Sequence, residues 1–255
     1  MYRFARQAFL MLGIILMAVS ASFGDMVVTP SGVAGTEGAG FLPLGGSGGV
    51  RIQTVFDASL FSGLGPLVIT GVAVRPDGGN TQATGTTMLS LLAEQTALTP
   101  ATLSYVYADN LLPGYTAAYT GSYTFNMPTT GAGPRPFSDV LTFMTPVYYD
   151  PSSGMNLLFD FSTSSPVAPP GTPRGVGNVV GLDSTAQNVR PAAGDQIFSV
   201  VGVNNLSTVR GVRVTGGPVY EIEYMLLPTP EPGTLPLLGL GLAGAALGVW
   251  RRRKK

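Results

Sequence analysis

Alternation of apolar and polar positions runs through the middle of the chain. Val50, Ile52, Thr54 and Phe56 share one face of an extended segment, the period-two pattern of a half-buried strand. The same reading predicts strands over residues 67–74, 87–93, 122–126, 140–144, 156–162, 196–201, 209–214 and 219–225. Turn chemistry separates them: Pro76-Asp77-Gly78-Gly79-Asn80, Pro113-Gly114, residues 128–136, Asp150-Pro151-Ser152-Ser153-Gly154 and residues 166–175. Nine short strands with little charge and many glycines predict an all-β fold, an antiparallel β-sandwich of jelly-roll type over residues 50–227. Asp150-Pro151 predicts a turn with residues 156–160 returning as a hairpin partner. The one helical expectation falls on residues 94–104, where Thr99-Pro100 suits the start of a single turn, and residues 25–49 are expected as a flexible lead-in.

The pattern changes at both ends. Arg3 and Arg6 precede an apolar run over residues 8–19, and small residues follow at Ser20, Ala21, Ser22 and Gly24. That is the layout of a secretory signal peptide over residues 1–24, an N-terminal signal helix for the general secretion machinery and signal peptidase. At the other end Pro230-Glu231-Pro232 precedes an uncharged run of 16 residues, 235–250, and then Arg251, Arg252, Arg253, Lys254 and Lys255. As a helix the run would measure roughly 24 Å against a bilayer core of about 30 Å. It is expected to be a short C-terminal transmembrane helix, with the five cations as a cytoplasmic stop.

Pro230-Glu231-Pro232, the Gly/Leu/Ala-rich span and the terminal basic cluster together resemble a PEP-CTERM sorting signal over residues 228–255. The same tail also goes by the label ice-binding protein C-terminal domain, which describes the tail and not ice binding. The resemblance implies recognition by an exosortase-type membrane protease of Gram-negative bacteria. It further implies a transient inner-membrane stage, cleavage near Pro230-Glu231-Pro232, and transfer to the cell surface or to the extracellular, biofilm-associated matrix. Residues 69–77 and 149–160 also resemble blocks of other exported PEP-CTERM proteins, a likeness that implies a shared sandwich and no active site.

Setting the ends aside changes the charge. The chain has 14 basic and 14 acidic residues, but seven of the basic ones are Arg3, Arg6 and the terminal five, while every acidic residue lies from Asp25 to Glu231. The central part carries about seven excess negative charges and no lysine. Such a surface is a poor partner for nucleic acid, which requires clustered cations. There is no cysteine, so the core alone must hold the fold.

The absence of histidine and cysteine excludes a Ser-His-Asp triad, a Cys-His nucleophile and the usual zinc and copper sites. Gly45-Gly46-Ser47-Gly48-Gly49 satisfies a nucleophile-elbow pattern without a histidine partner or a preceding strand, and reads as a linker. Gly239, Gly241 and Gly244 match a dinucleotide fingerprint inside the membrane-entering tail, where it has no meaning. No cofactor is expected. Calcium would be the ion suited to loop oxygens, with Asp109-Asn110, Asp150 and Asp183 as loop candidates, though none has calcium-loop spacing. Glu221 and Glu223 alternate onto one strand face at about 6.5–7 Å, a separation an inverting glycosidase uses, but a solvated strand face explains them better. Tyr105, Tyr107, Tyr148 and Tyr149 are the candidate contacts to extracellular polysaccharide, with Tyr115, Tyr119 and Tyr123 nearby. The irregular spacing of Thr81, Thr84, Thr86 and Thr87 does not suit an ice-binding face. The expectation is an exported, non-catalytic structural or adhesive protein, against a glycan-binding module or a carboxylate-dependent glycoside hydrolase.

Overall fold

The computed structural model describes residues 24–38, 40–44, 49–76, 84–126, 133–164, 180–184, 196–203 and 210–227. Twelve strands lie among them: β1 (Asp25–Thr29), β2 (Gly40–Leu44), β3 (Val50–Phe56), β4 (Leu67–Val74), β5 (Thr84–Thr96), β6 (Thr116–Asn126), β7 (Asp139–Tyr149), β8 (Asn156–Thr163), β9 (Val180–Ser184), β10 (Ile197–Val203), β11 (Val212–Thr215) and β12 (Tyr220–Leu226). They build two antiparallel sheets, in the orders β1-β12-β4-β7 and β11-β10-β3-β8-β5-β6, and a two-stranded ribbon of β2 and β9.

The alternation that predicts the strands also builds the core. Val50, Ile52 and Phe56 of β3 and Leu157, Phe159 and Phe161 of β8 point inward and meet Ile69, Val72 and Val74 of β4 and Tyr220, Ile222 and Tyr224 of β12. Phe56, Phe159 and Tyr220 contact one another edge to face, with ring centroids 5.4, 5.8 and 5.9 Å apart. This triangle joins the sheets, since Phe56 and Phe159 belong to the larger and Tyr220 to the smaller.

Strands β3 and β4 occupy the residues expected of them, and the other seven expectations fall on strands that are longer or shifted by a few residues. Three corrections follow. Residues 94–96 continue β5 and are not helical, whereas the turn at Thr99-Pro100 does close, with the Leu103 amide donating to the Thr99 carbonyl at 3.1 Å. Strands β7 and β8 do not pair as a hairpin, because Asp150-Pro151 carries the chain from one sheet to the other. Gly154 makes that crossing at φ 74°, a left-handed conformation that costs glycine nothing sterically. The lead-in, residues 25–49, contributes β1 and β2, and its turn is gripped by the buried Arg75 guanidinium, which donates to the carbonyls of Val33, Ala34 and Thr36 at 2.8, 3.0 and 2.6 Å.

Residues 97–111 fold over the outer face of the larger sheet. Leu103 and Tyr107 pack there on Val55, Leu158 and Val200, a second small core. Strand β3 is therefore buried on both faces, which alternation alone does not predict. The expected signal peptide, apart from Gly24, and the expected C-terminal span lie outside the described residues. Among the described residues no helix is long and apolar enough to cross a membrane.

Candidate functional site

A buried polar cluster sits beneath that cover. Asp160 accepts from Arg51 Nε at 3.0 Å and Nη2 at 2.5 Å, and from Gln53 Nε2 at 2.8 Å. Gln53 also donates to the Tyr107 carbonyl at 3.0 Å and accepts from Asn110 Nδ2 at 2.8 Å. The Tyr107 hydroxyl donates to the Arg51 carbonyl at 3.2 Å, and the Arg51 guanidinium lies 4.6 Å from the centroid of its ring. Burial pushes the Tyr107 hydroxyl up to about 12, and the hydrogen bond to Asp160 raises Arg51 further. Within the cluster the side chains of Gln53, Tyr107, Asn110 and Asp160 all have partners, as an apolar surrounding demands. The cluster fastens the cover to the sheet. Composition gave no hint of it, because its members are spread from residue 51 to residue 160.

The candidate tyrosines do not assemble into one platform. Tyr107 starts a one-turn helix, Tyr107–Asn110, and is buried, while Tyr105 is exposed. Tyr149 is buried against Phe61, at a ring-centroid distance of 5.1 Å, and donates to the Met155 carbonyl at 3.2 Å. Tyr148, its neighbour on the opposite face of β7, is 51% exposed. Tyr119 and Tyr123 stack edge to face at 6.1 Å along the sandwich edge. Tyr148 lines a cleft, a hollow of about 230 Å³ shared with Glu94, Gln95, Leu112, Pro113 and Thr116. Both Glu94 oxygens accept from the Leu112 amide, at 3.1 and 3.2 Å, while burial raises this carboxyl above the usual range.

Glu221 and Glu223 do share the outward face of β12. Glu221 stands opposite Val28 and Ala73, and Glu223 opposite Met26 and Gly71. Burial, and then the Glu223 charge, raise the Glu221 carboxyl. The loop candidates for calcium have structural partners. Asp109 accepts from the Ser104 hydroxyl, Asn110 accepts from the Ser104 amide, and Asp150 caps the turn at Pro151–Ser153 through the Ser152 amide at 2.9 Å. Asp183 lies in β9, not in a loop. Among the described residues no three carboxylates gather as a metal site.

Pro230, Glu231, Pro232 and the Arg251, Arg252, Arg253, Lys254 and Lys255 cluster lie beyond the last described residue, Leu227. The described part defines the class: a β-sandwich of two antiparallel sheets, whose final strand runs directly into this tail. A family model, the PEP-CTERM protein-sorting motif, matches residues 228–254, so the chain carries a PEP-CTERM sorting domain. The motif supports an exported protein that is transiently membrane-anchored and processed by an exosortase, a membrane protein. No curated protein and no solved structure matches the chain.

Proposed function

We propose that the chain is delivered by its tail to the cell surface or extracellular matrix of a Gram-negative bacterium and acts there as a non-catalytic structural or adhesive domain. The observation that carries this reading is the position of the motif. It begins at residue 228, just after β12 ends at Leu226, so cutting near Pro230-Glu231-Pro232 removes the membrane-entering part and leaves every described strand in place. The lack of histidine and cysteine supports a role without catalysis, as does the position of Glu223, whose carboxylate packs over Gly71. The jelly-roll reading rests on strand order. Numbered along the chain, β1, β3, β4, β5, β6, β7, β8 and β12 stand as 1-8-3-6 in one sheet and 2-7-4-5 in the other, as two interlocked Greek keys require, with β10 and β11 added beside β3.

Mass spectrometry of the protein recovered from its native host tests the sorting step. The expected C-terminus lies close to Pro230-Glu231-Pro232 and lacks Trp250; intact chain held in the inner membrane would overturn the reading. A glycosidase screen tests the absence of catalysis. Turnover abolished by Glu221→Gln or Glu223→Gln would assign the protein to the hydrolases instead.

A further inference from the structure

Asp25 stands opposite Tyr224 in the ladder between β1 and β12. The chain therefore enters and leaves the sandwich at the same end of one sheet, from adjacent strands about 5 Å apart. The apolar run 8–19 ends six positions before Asp25, and the uncharged run from Leu235 begins eight positions after Leu227. Fully extended, these links reach at most about 20–22 Å and 26–29 Å. A seven-residue strand such as β12 is itself about 23 Å long, so the far end of the sandwich lies well behind the tethered end.

Exposed apolar side chains line that same end. The register places Met225 opposite Val68, and Val68 opposite Tyr148, in a row across β12, β4 and β7. Met225 and Tyr148 are 39% and 51% exposed. Leu112, 47% exposed, extends the row across the cleft that it lines with Tyr148, and Leu226 and Leu227 are exposed where the chain departs. The four side chains of the row carry no charge: Glu221 and Glu223 stand farther along β12 toward the other end, and Glu94, which lines the cleft, is buried with both oxygens on the Leu112 amide.

We propose that this row is a membrane-contact surface: before processing, the sandwich sits with Met225, Val68, Tyr148 and Leu112 against the interfacial zone of a phospholipid bilayer. The inference rests on the export and sorting reading, which puts both apolar segments in that bilayer. Two tethers on neighbouring strands orient the domain, and the row adds apolar area and a tyrosine whose ring and hydroxyl suit the headgroup region. Seated this way, the domain holds Pro230-Glu231-Pro232 close to the bilayer surface, within reach of a membrane-embedded protease.

The chain has no cysteine, so single labels are clean. Full-length protein is reconstituted in phosphatidylethanolamine–phosphatidylglycerol vesicles with a fluorophore on Leu112→Cys, Tyr148→Cys or Met225→Cys, or at the far end on Met88→Cys or Val140→Cys. Quenching by headgroup-level nitroxide lipids is expected to be several-fold stronger at the first three positions. Inserted chain with equal quenching at both ends overturns the contact surface alone; chain that fails to insert overturns the sorting reading with it. Adding Leu112→Asp and Tyr148→Asp to the Met225→Cys chain should abolish the difference while insertion persists, and its survival would overturn the proposal. Labels shielded by added neutral polysaccharide without lipid would assign the row to sugar instead.

Discussion

Arg51 and Asp160 meet at 2.5 Å diagonally across β3 and β8, beneath the segment that covers the outer face of the larger sheet. Asp160 is 2% exposed and Arg51 25%, so one ion is fully desolvated and the other only in part. Asp160→Ala would leave the guanidinium without its acceptor and take from the Gln53 amide one of its two, the Tyr107 carbonyl remaining. A loss of about 2–4 kcal/mol in urea unfolding is expected. Replacing both partners, Arg51→Met with Asp160→Leu, should cost less than Asp160→Ala alone, because no buried charge is stranded.

Among the described residues three carboxyls bias the pH dependence in one direction. Burial is the main cause that raises Glu94, Asp139 and Glu221 above their ordinary values of 4.5, 3.8 and 4.5. A raised acid binds more protons folded than unfolded, so its stabilisation is complete below the unfolded value and is lost as pH rises through the folded one. With no histidine in the chain, unfolding free energy should decline as pH climbs upward from that ordinary range. Glu221→Gln should flatten the decline in a urea-midpoint series. A series that rises with pH would show that other groups dominate.

Gly211 marks where the cover meets β10. A Cβ there would collide with the Tyr107 hydroxyl and stand 2.5 Å from Val200 Cγ1. That hydroxyl donates to the Arg51 carbonyl at 3.2 Å, a bond that its retreat would break. Gly211→Ala should cost about 1–3 kcal/mol as overpacking. Gly65→Ala, which meets nothing within 4 Å, should stay within about 0.5 kcal/mol.

Neighbouring tyrosines should behave oppositely. Tyr149→Ala empties a buried site beside Phe61 and is expected to cost about 3–5 kcal/mol. Tyr148→Ala removes an exposed ring and should change stability by no more than about 0.5 kcal/mol. Thermal unfolding of the two variants checks the contrast.

Much of the fold was legible because strand periodicity is local. Val50, Ile52 and Phe56 announce an inward face by spacing alone, and all three are in the core. Strands β1, β2 and β9 were not legible. Residues 25–29 alternate weakly and become a strand only because β12 offers an edge. Residues 40–44 and 180–184 form a ribbon with each other across more than a hundred residues, tied to the rest of the sandwich by a bridge from Ser184 to Pro218. The split of the tyrosines into buried and exposed was illegible for a related reason: sequence gives the alternation of Tyr148 and Tyr149 but not which of them faces the core.

What the sequence by itself determined is the address and the class. The tail motif is contiguous, and apolar length and charge order are properties of a segment, readable without a fold. The absence of lysine from the central part, and of histidine and cysteine throughout, limits the chemistry in the same direct way. Tertiary structure decided which residues share a surroundings. It brought Arg51, Gln53, Tyr107, Asn110 and Asp160 under one cover, and it set Asp25 beside Tyr224 at a single end of the sandwich. Both depend on pairings between residues far apart in the chain, and those exist only after the sheets have closed on each other.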